Sequence, residues 1–190
     1  MKLLEEKIVS DGTVLGGNIL KVGSFLNQQL DTAFLAEMGK EIKRIYEADG
    51  VTKILTIEAS GIAIATAAGI VMDVPVVFAK KNRTANVSGE VYTASVYSFT
   101  HKKENVITVP KEYLSADDKI VIIDDFLANG KALEGLIEII EQAGATLVGC
   151  TCAIEKGFQG GGDGLRAKGV RVESLAIVDE MNEGTIKFRK

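Results

Sequence analysis

The stretch IVIIDDFLANGKA, residues 120–132, decides the fold, because it joins an apolar run, two adjacent carboxylates and a turn of small residues. The run Ile120–Ile123 does not alternate with polar residues, which is typical of a strand covered on both faces in a parallel sheet. Asp124 and Asp125 follow at the carboxyl end of this strand, where open α/β sheets bind their ligands. The stretch therefore predicts an α/β fold with a ligand site at its own end.

The small residues after the two aspartates favour phosphate as part of the ligand. Gly130 permits a positive φ or a close approach of backbone to an anion, and the next helix presents unpaired N–H groups there. Carboxylates beside a phosphate indicate ribose hydroxyls or a bound Mg²⁺ as the partners of Asp124 and Asp125. The alternative is an ordinary strand-to-helix turn in which one aspartate caps the helix.

Composition predicts one domain over residues 1–190 and excludes some classes of function. The chain has 190 residues, of which 46% are hydrophobic, so it can bury a full core. A net charge of −4 argues against general nucleic-acid binding. The apolar runs are too short to span a membrane and the start Met1–Lys7 lacks a signal-peptide core, so we expect a cytoplasmic protein that binds no membrane.

The order of elements supports an α/β core. An apolar stripe predicts a helix over Asp31–Asp49, and a βαβ unit follows it. The unit consists of a strand at Val51–Glu58, a helix at Gly61–Met72 and a strand at Val74–Ala79. Further predicted elements are a hairpin or flap from Glu90–Phe99 and Glu104–Val109, a helix at Gly130–Ala143, and strands at Thr146–Ile154 and Val170–Val178. Residues 1–30 and the tail from Val178 are expected to form a small hood.

Residues 120–132 resemble the signature of the type I phosphoribosyltransferases. Over nearly the full length the chain resembles the bacterial xanthine phosphoribosyltransferases of this family, through Leu20–Asn27, Glu58–Ala63, Thr93–Thr100 and Arg171–Ala176. The resemblance implies the type I phosphoribosyltransferase fold, a parallel-sheet core flanked by helices with a flexible flap and a small N- and C-terminal hood. It also implies a homodimer in purine salvage, with phosphoribosyl pyrophosphate and xanthine as substrates, XMP and pyrophosphate as products, and Mg²⁺ carried with the donor.

For the donor, the resemblance implies a catalytic role for Asp124 and Asp125, which hold the ribose. The donor's 5′-phosphate is assigned to the phosphate loop, which comprises Ala128, Asn129, Gly130, Lys131 and Ala132. Its pyrophosphate is assigned to Ala59 and Ser60, with Lys81 beside them. Two alternatives stay open: Ser60 as an ordinary helix cap, and Lys80, Lys81 and Arg83 as a solvated charge cluster rather than a closing loop.

For the purine base, the resemblance implies contacts from Leu20, Asn27 and Lys156. A lysine donates to a 6-oxo group and has no acceptor for the 6-amino group of adenine, while the Asn27 amide suits a 2-oxo group. From the sequence alone, without the resemblance, Asn27 is interpreted as a turn residue and Leu20 as a core residue. Phe126 and Phe158 are candidates to stack on the base, and for each of them the alternative is a place in the hydrophobic core.

The chemistry needs no nucleophilic side chain, because the ribose passes through an oxocarbenium-like state. The phosphate loop opens with Ala128 rather than an acid, so a loop carboxylate is not the general base, and the sole histidine, His101, is expected in a solvated turn. The alternatives for function are a guanine, hypoxanthine or adenine phosphoribosyltransferase, or a non-catalytic regulator that binds phosphoribosyl pyrophosphate.

Overall fold

The fold is built on one eight-stranded sheet with helices on both faces. The structure, a computed structural model, describes residues 1–16, 18–81, 89–98, 103–182 and 184–190. Its helices are α1 Lys2–Asp11, α2 Thr32–Tyr46, α3 Gly61–Met72, α4 Lys131–Gln142 and α5 Gly161–Ala167. Its strands are β1 Thr13–Leu15, β2 Ile19–Lys21, β3 Lys53–Ile57, β4 Val76–Lys81, β5 Val91–Ser98, β6 Lys103–Pro110, β7 Lys119–Leu127, β8 Thr146–Lys156, β9 Val172–Asn182 and β10 Thr185–Phe188.

The sheet has a parallel centre and antiparallel edges, in the order β10-β9-β8-β7-β3-β4-β6-β5. Strands β4, β3, β7, β8 and β9 run parallel to one another, as the βαβ pattern predicts. The β5–β6 hairpin is antiparallel and joins the sheet through β4, which confirms the predicted hairpin. The residues that connect its strands, among them His101, lie outside the described residues. The fold class is confirmed, with the refinement that the sheet is mixed rather than wholly parallel.

Strand β7 is buried on both faces, which is why its aliphatic run does not alternate. Ile120 and Ile122 pack in the core that includes α4, whereas Val121 and Ile123 pack in the core that includes α2 and α3. All of these side chains are fully buried. Central strands of parallel sheets need apolar side chains at every position for this reason.

Helices α2, α3 and α4 form where the sequence pattern predicts helices. Asp31 caps α2 by accepting a hydrogen bond from the Phe34 N–H at 3.1 Å, as the capping pattern predicts. In α4, the side chains of Leu133, Leu136, Ile139 and Ile140 are buried, whereas that of Ile137 is only half-buried.

Residues 1–16 and 18–30 pack onto the core beside α2 and α3. Leu4 and Ile8 of α1 share that core with Phe25 and Leu26, which lie in a π-helical turn over Gly23–Asn27. The amino group of Met1 donates to the carbonyl of Leu175 in β9. Among the helices that the structure describes, none is both long and apolar enough to cross a membrane.

Candidate active site

Both aspartates of residues 120–132 lie inside β7 rather than after it. The strand continues to Leu127 because Asp124 and Phe126 pair with Cys152 and Ile154 of β8. Helix α4 begins after Gly130, and the side chain that accepts from its first N–H is that of Asn129 rather than either aspartate. The alternative in which an aspartate caps this helix is therefore wrong, and the two carboxylates stay available at the ligand-binding edge.

The two carboxylates differ in environment. Asp124 is only 6% exposed, and its Oδ1 accepts a hydrogen bond from the Asp125 N–H at 2.9 Å. Burial raises the pKa of Asp124 well above its usual value, and the adjacent charge of Asp125 raises that pKa further. Asp125 is half-buried and faces the base-binding candidates. Asp125 is thus the carboxylate placed to contact a ligand, with Asp124 beneath it.

The turn that was assigned to pyrophosphate packs directly against Asp124. A Cβ on Gly61 would lie 2.8 Å from Asp124 Oδ1 and 2.3 Å from Thr56 Oγ1, so only glycine lets the turn come this close. The Thr56 hydroxyl is buried, and none of the described residues forms a hydrogen bond with it. Ser60 precedes α3 but makes no capping hydrogen bond, so the ordinary-cap alternative for Ser60 is not what the structure contains.

Lys81 lies at the end of β4, next to the same turn. Its N–H donates to Glu58 Oε1 at 2.6 Å, and the peptide bond from Glu58 to Ala59 is cis. The positive charge of Lys81 lowers the pKa of Asp124 slightly against the larger effect of burial. Arg83, the other candidate cation of this segment, lies outside the described residues.

The phosphate loop turns sharply into α4. Gly130 has a φ of 82°, a conformation that side chains disfavour. Asn129 Oδ1 accepts from the Lys131 N–H at 3.1 Å, while the Lys131 ammonium donates to Glu134 at 2.6 Å. The first N–H groups of a helix have no partner within the helix, so we expect the N–H of Ala132 to face an anion bound at this turn. The loop therefore offers backbone N–H groups, and the Lys131 charge is already paired.

The base-binding candidates come from distant segments. Leu20 and Asn27 line one cavity of about 440 Å³, together with Asp11, Thr13, Lys21, Val22, Gly23, Ser24 and Gln28. The Asn27 amide nitrogen lies 3.5 Å from Asp125 Oδ2, which joins this cavity to the aspartate pair. Leu20 is 6% exposed, so it is also part of the core.

Lys156 does not line that cavity, although it contacts the same N-terminal segment. Its ammonium is 5.5 Å from the centre of the Phe126 ring and donates to the Asn18 carbonyl at 2.8 Å. Burial lowers the pKa of Lys156. Phe126 is the aromatic residue beside Lys156, whereas the Phe158 side chain is 39% exposed.

The carboxylates of Asp124 and Asp125 suit a metal ion that a substrate already binds through its own oxygen atoms. Within the described ranges, no group of three or more His, Cys, Asp and Glu side chains could hold a metal ion. The adjacent carboxylates of Asp124 and Asp125 supply fewer ligands than a site made of protein alone requires. This set fits Mg²⁺ bound mainly by a polyphosphate, since such sites use one or two carboxylates plus substrate phosphates.

Sequence reasoning missed a buried ion pair next to the site. Glu155, immediately before Lys156, is fully buried and binds Arg166 of α5 through both carboxylate oxygens. The only available signal was a glutamate at the end of an apolar strand, and the partner lies in a helix whose sequence, GGDGLRA, does not look helical.

Comparison with known proteins agrees with this geometry. The Phosphoribosyl transferase domain family matches residues 27–182. The chain is 56% identical to a xanthine phosphoribosyltransferase of Bifidobacterium longum, with 100% of each chain covered. It is 53% identical to the xanthine phosphoribosyltransferase of Clostridioides difficile, again with 100% of both chains covered.

Solved structures of adenine phosphoribosyltransferases share the fold at low identity. The enzyme of Leishmania tarentolae superposes with a TM-score of 0.77 at 18% identity, covering 95% of this chain and 90% of that one. The enzyme of Rhodothermus marinus superposes with a TM-score of 0.73 at 19% identity, covering 94% and 100%. The aspartate pair, the phosphate loop and these matches lead to one conclusion: the chain belongs to the phosphoribosyltransferase family.

Proposed function

We propose that this chain is a purine-salvage enzyme that transfers the 5-phosphoribosyl group from phosphoribosyl pyrophosphate to xanthine, giving XMP and pyrophosphate. The observation that supports the proposal best is the 3.5 Å contact between Asn27 and Asp125, which brings a candidate for base binding next to a candidate for ribose binding. Relatives named xanthine phosphoribosyltransferase match the chain from end to end.

Phosphoribosyl pyrophosphate binds between the phosphate loop and the turn at Ala59 and Ser60, with the two aspartates between these turns. The phosphate loop holds the 5′-phosphate through backbone N–H groups, and Ala59 and Ser60 hold the pyrophosphate with Lys81. Asp125 binds the ribose hydroxyls, either directly or through Mg²⁺, and Asp124 supports it from below. When bound, Mg²⁺ neutralises charge on the departing pyrophosphate.

The transfer breaks the bond between ribose C1 and a pyrophosphate oxygen, and a purine nitrogen forms the new bond to C1. The purine N–H proton passes to water, and the departing pyrophosphate oxygen keeps the electron pair of the broken bond. Side chains contribute by position rather than as nucleophiles, because alignment of two bound reactants lowers the barrier greatly. The Asp125 carboxylate would lie beside the ribose ring, where positive charge develops during the transfer.

Hydrogen bonds from two side chains select the base. Lys156 donates to the 6-oxo group and Asn27 donates to the 2-oxo group, while Leu20 contacts the ring. Adenine lacks both oxygens, so both donors would lose their acceptors in the bound state. A site built around hydrogen bonds rejects an analogue that lacks them far better than a site built on shape.

A product assay tests the proposal. Purified protein is incubated with phosphoribosyl pyrophosphate, xanthine and MgCl₂, and XMP and pyrophosphate are quantified by chromatography and a coupled assay. We expect the two products in equal amounts and no reaction after chelation with EDTA. Binding of the donor without nucleotide from any purine would contradict the proposal and favour a regulator.

The proposal includes a cytoplasmic homodimer, which the resemblance implies. Light scattering after size-exclusion chromatography measures the mass directly. We expect twice the 20.3 kDa of the chain, and a mass equal to a single chain would contradict this part.

A further inference from the structure

Glu155 is a charged side chain that the fold buries completely, next to the lysine assigned to the base. Its exposed fraction is 0%, and Arg166 donates to its two oxygens at 2.9 and 2.7 Å. The Ser174 hydroxyl of β9 donates to the same carboxylate. Partners of this kind are needed because a buried charge has lost its hydration. The pair of Glu155 and Arg166 therefore joins the end of β8 to α5.

The first residues of α5 fill the space between that carboxylate and the phosphate loop. A Cβ on Gly162 would lie 2.1 Å from Glu155 Oε1, and a Cβ on Gly161 would lie 2.3 Å from the Ala128 carbonyl oxygen. The Gly161 N–H donates to that oxygen at 3.1 Å. Neither Gly161 nor Gly162 has room for a side chain, because α5 is in direct contact with the phosphate loop and with the Glu155 carboxylate. A shift of α5 would therefore also move one of these two groups.

Arg189 holds α5 through further ion pairs. Its guanidinium donates to Asp163 of α5 at 2.7 and 3.0 Å and to Asp179 of β9 at 2.8 Å, and Asp163 also accepts from Arg166 at 3.1 Å. Hydrogen bonds from Arg189 lower the pKa of Asp163. Without the guanidinium, two carboxylates would face each other and repel. Glu155, Arg166, Asp163 and Arg189 together form the α5 ion-pair chain.

The residue after Lys156 packs against the same charged groups. A Cβ on Gly157 would lie 2.3 Å from Asp179 Oδ1 and 2.9 Å from Arg189 Nη2. The backbone at Lys156 is therefore held on one side by Glu155 and on the other by the pair of Asp179 and Arg189. The position of the lysine depends on groups that do not touch the base.

We propose that the α5 ion-pair chain sets the separation between Lys156 and the phosphate loop, so that Glu155 and Arg189 are positioning residues for the reaction. A nucleotide carries its base at one end and its 5′-phosphate at the other, so both ends must be held at a fixed distance. This inference rests on the proposed function, which assigns the two ends. A misplacement of about 1 Å costs on the order of 100-fold in rate.

Arg189→Ala tests the inference, with Lys187→Ala as the matched control. Lys187 pairs with Glu180 at 2.5 Å in the same β9–β10 hairpin and is outside the α5 ion-pair chain. We expect Arg189→Ala to lower kcat/KM about 10- to 100-fold, with higher KM values for xanthine and for the donor. Arg189→Lys should recover part of the loss, because it keeps a positive charge between the carboxylates but not the planar fork. Lys187→Ala should stay within about twofold of the unaltered protein.

A merely structural role of Arg189 would lower the melting temperature and leave both KM values unchanged, and that result would overturn the inference. Equal kinetics for Arg189→Ala and Lys187→Ala would overturn it as well. Failure of the proposed function is a separate result, seen as no use of xanthine by the unaltered protein. The inference is then judged by calorimetric affinity for phosphoribosyl pyrophosphate, which Arg189→Ala must weaken and Lys187→Ala must not.

Discussion

Asn27 and Asp125 meet in the site although 98 positions separate them in the sequence, with the Asn27 amide nitrogen 3.5 Å from Asp125 Oδ2. Asn27 ends the π-helical turn and Asp125 lies in β7. A contact of 3.5 Å is at the long limit for a hydrogen bond, so it is weak and the amide can turn to another acceptor at small cost. In the proposed reaction that acceptor is the 2-oxo group of the base.

Replacing Asn27 by alanine should impair use of xanthine much more than use of hypoxanthine, which has no 2-oxo group. The loss of one buried hydrogen bond is worth about 1–3 kcal/mol, or about 5- to 150-fold in kcat/KM. Asn182→Ala is the control, because Asn182 is an exposed amide in the β9–β10 hairpin. Equal losses for the two bases would show that Asn27 does not read the 2-oxo group.

Activity with xanthine should fall at high pH as Lys156 loses its proton, and Lys156→Arg should move this fall to higher pH. Burial lowers the pKa of Lys156 below its usual 10.5, so the ammonium loses its proton, and with it a donor for the 6-oxo group, at a lower pH than a free lysine. The guanidinium of Lys156→Arg stays charged and should move the limit to higher pH. The measurement is kcat/KM for xanthine between about pH 7 and pH 11. Ionisation of xanthine affects both proteins alike, so superimposable profiles would contradict the role of Lys156.

Asp124→Asn should make the protein more stable while it impairs the reaction. The pKa of Asp124 is raised above 3.8 in the folded state, so stability falls as pH rises through the folded pKa. Asparagine cannot ionise, so the melting temperature of the variant should exceed that of the unaltered protein at any pH where Asp124 is charged, by about 2–4 °C for each kcal/mol gained. The exposed Asp117 provides the control Asp117→Asn. A lower melting temperature for Asp124→Asn would mean that the buried charge stabilises the fold.

The sequence pattern predicted the donor side of the site because its information is local. The apolar run Ile120–Ile123 is buried on both faces, and Gly130 takes a positive φ, as the turn requires. The strand extends through Asp124 because its pairing partner is Cys152, which no local pattern identifies. Local rules thus predicted the buried strand and the glycine turn, and they misplaced the end of the strand by a few residues.

The base side was accessible only through resemblance, since its residues converge by tertiary packing. Leu20 and Asn27 come from the N-terminal segment and Lys156 from β8, and nothing in their own neighbourhoods indicates a pocket. Helix α5 was missed for a related reason. It begins with glycines that disfavour a helix, and contacts such as that of Gly161 with Ala128 hold it in place.

Gly130→Ala should weaken donor binding beyond its effect on stability. A side chain at a φ of 82° costs about 1–2 kcal/mol, and the loop must shift to relieve it. Gly184→Ala is a matched control, because Gly184 has a φ of 79° in open space in the β9–β10 hairpin. Both variants should lose similar stability in urea, but only Gly130→Ala should raise the donor KM, by about tenfold or more. A similar donor KM in the two variants would contradict the role of the phosphate loop.

The central claim is that this site joins xanthine to the phosphoribosyl group and selects it through Asn27 and Lys156. The most direct test is a competition in which the protein receives phosphoribosyl pyrophosphate, Mg²⁺ and equal concentrations of xanthine, guanine, hypoxanthine and adenine. Separation of the nucleotides by chromatography gives the ratio of kcat/KM values in one measurement. We predict XMP as the main product and no detectable AMP; AMP as the main product, or no nucleotide from any base, would contradict the account.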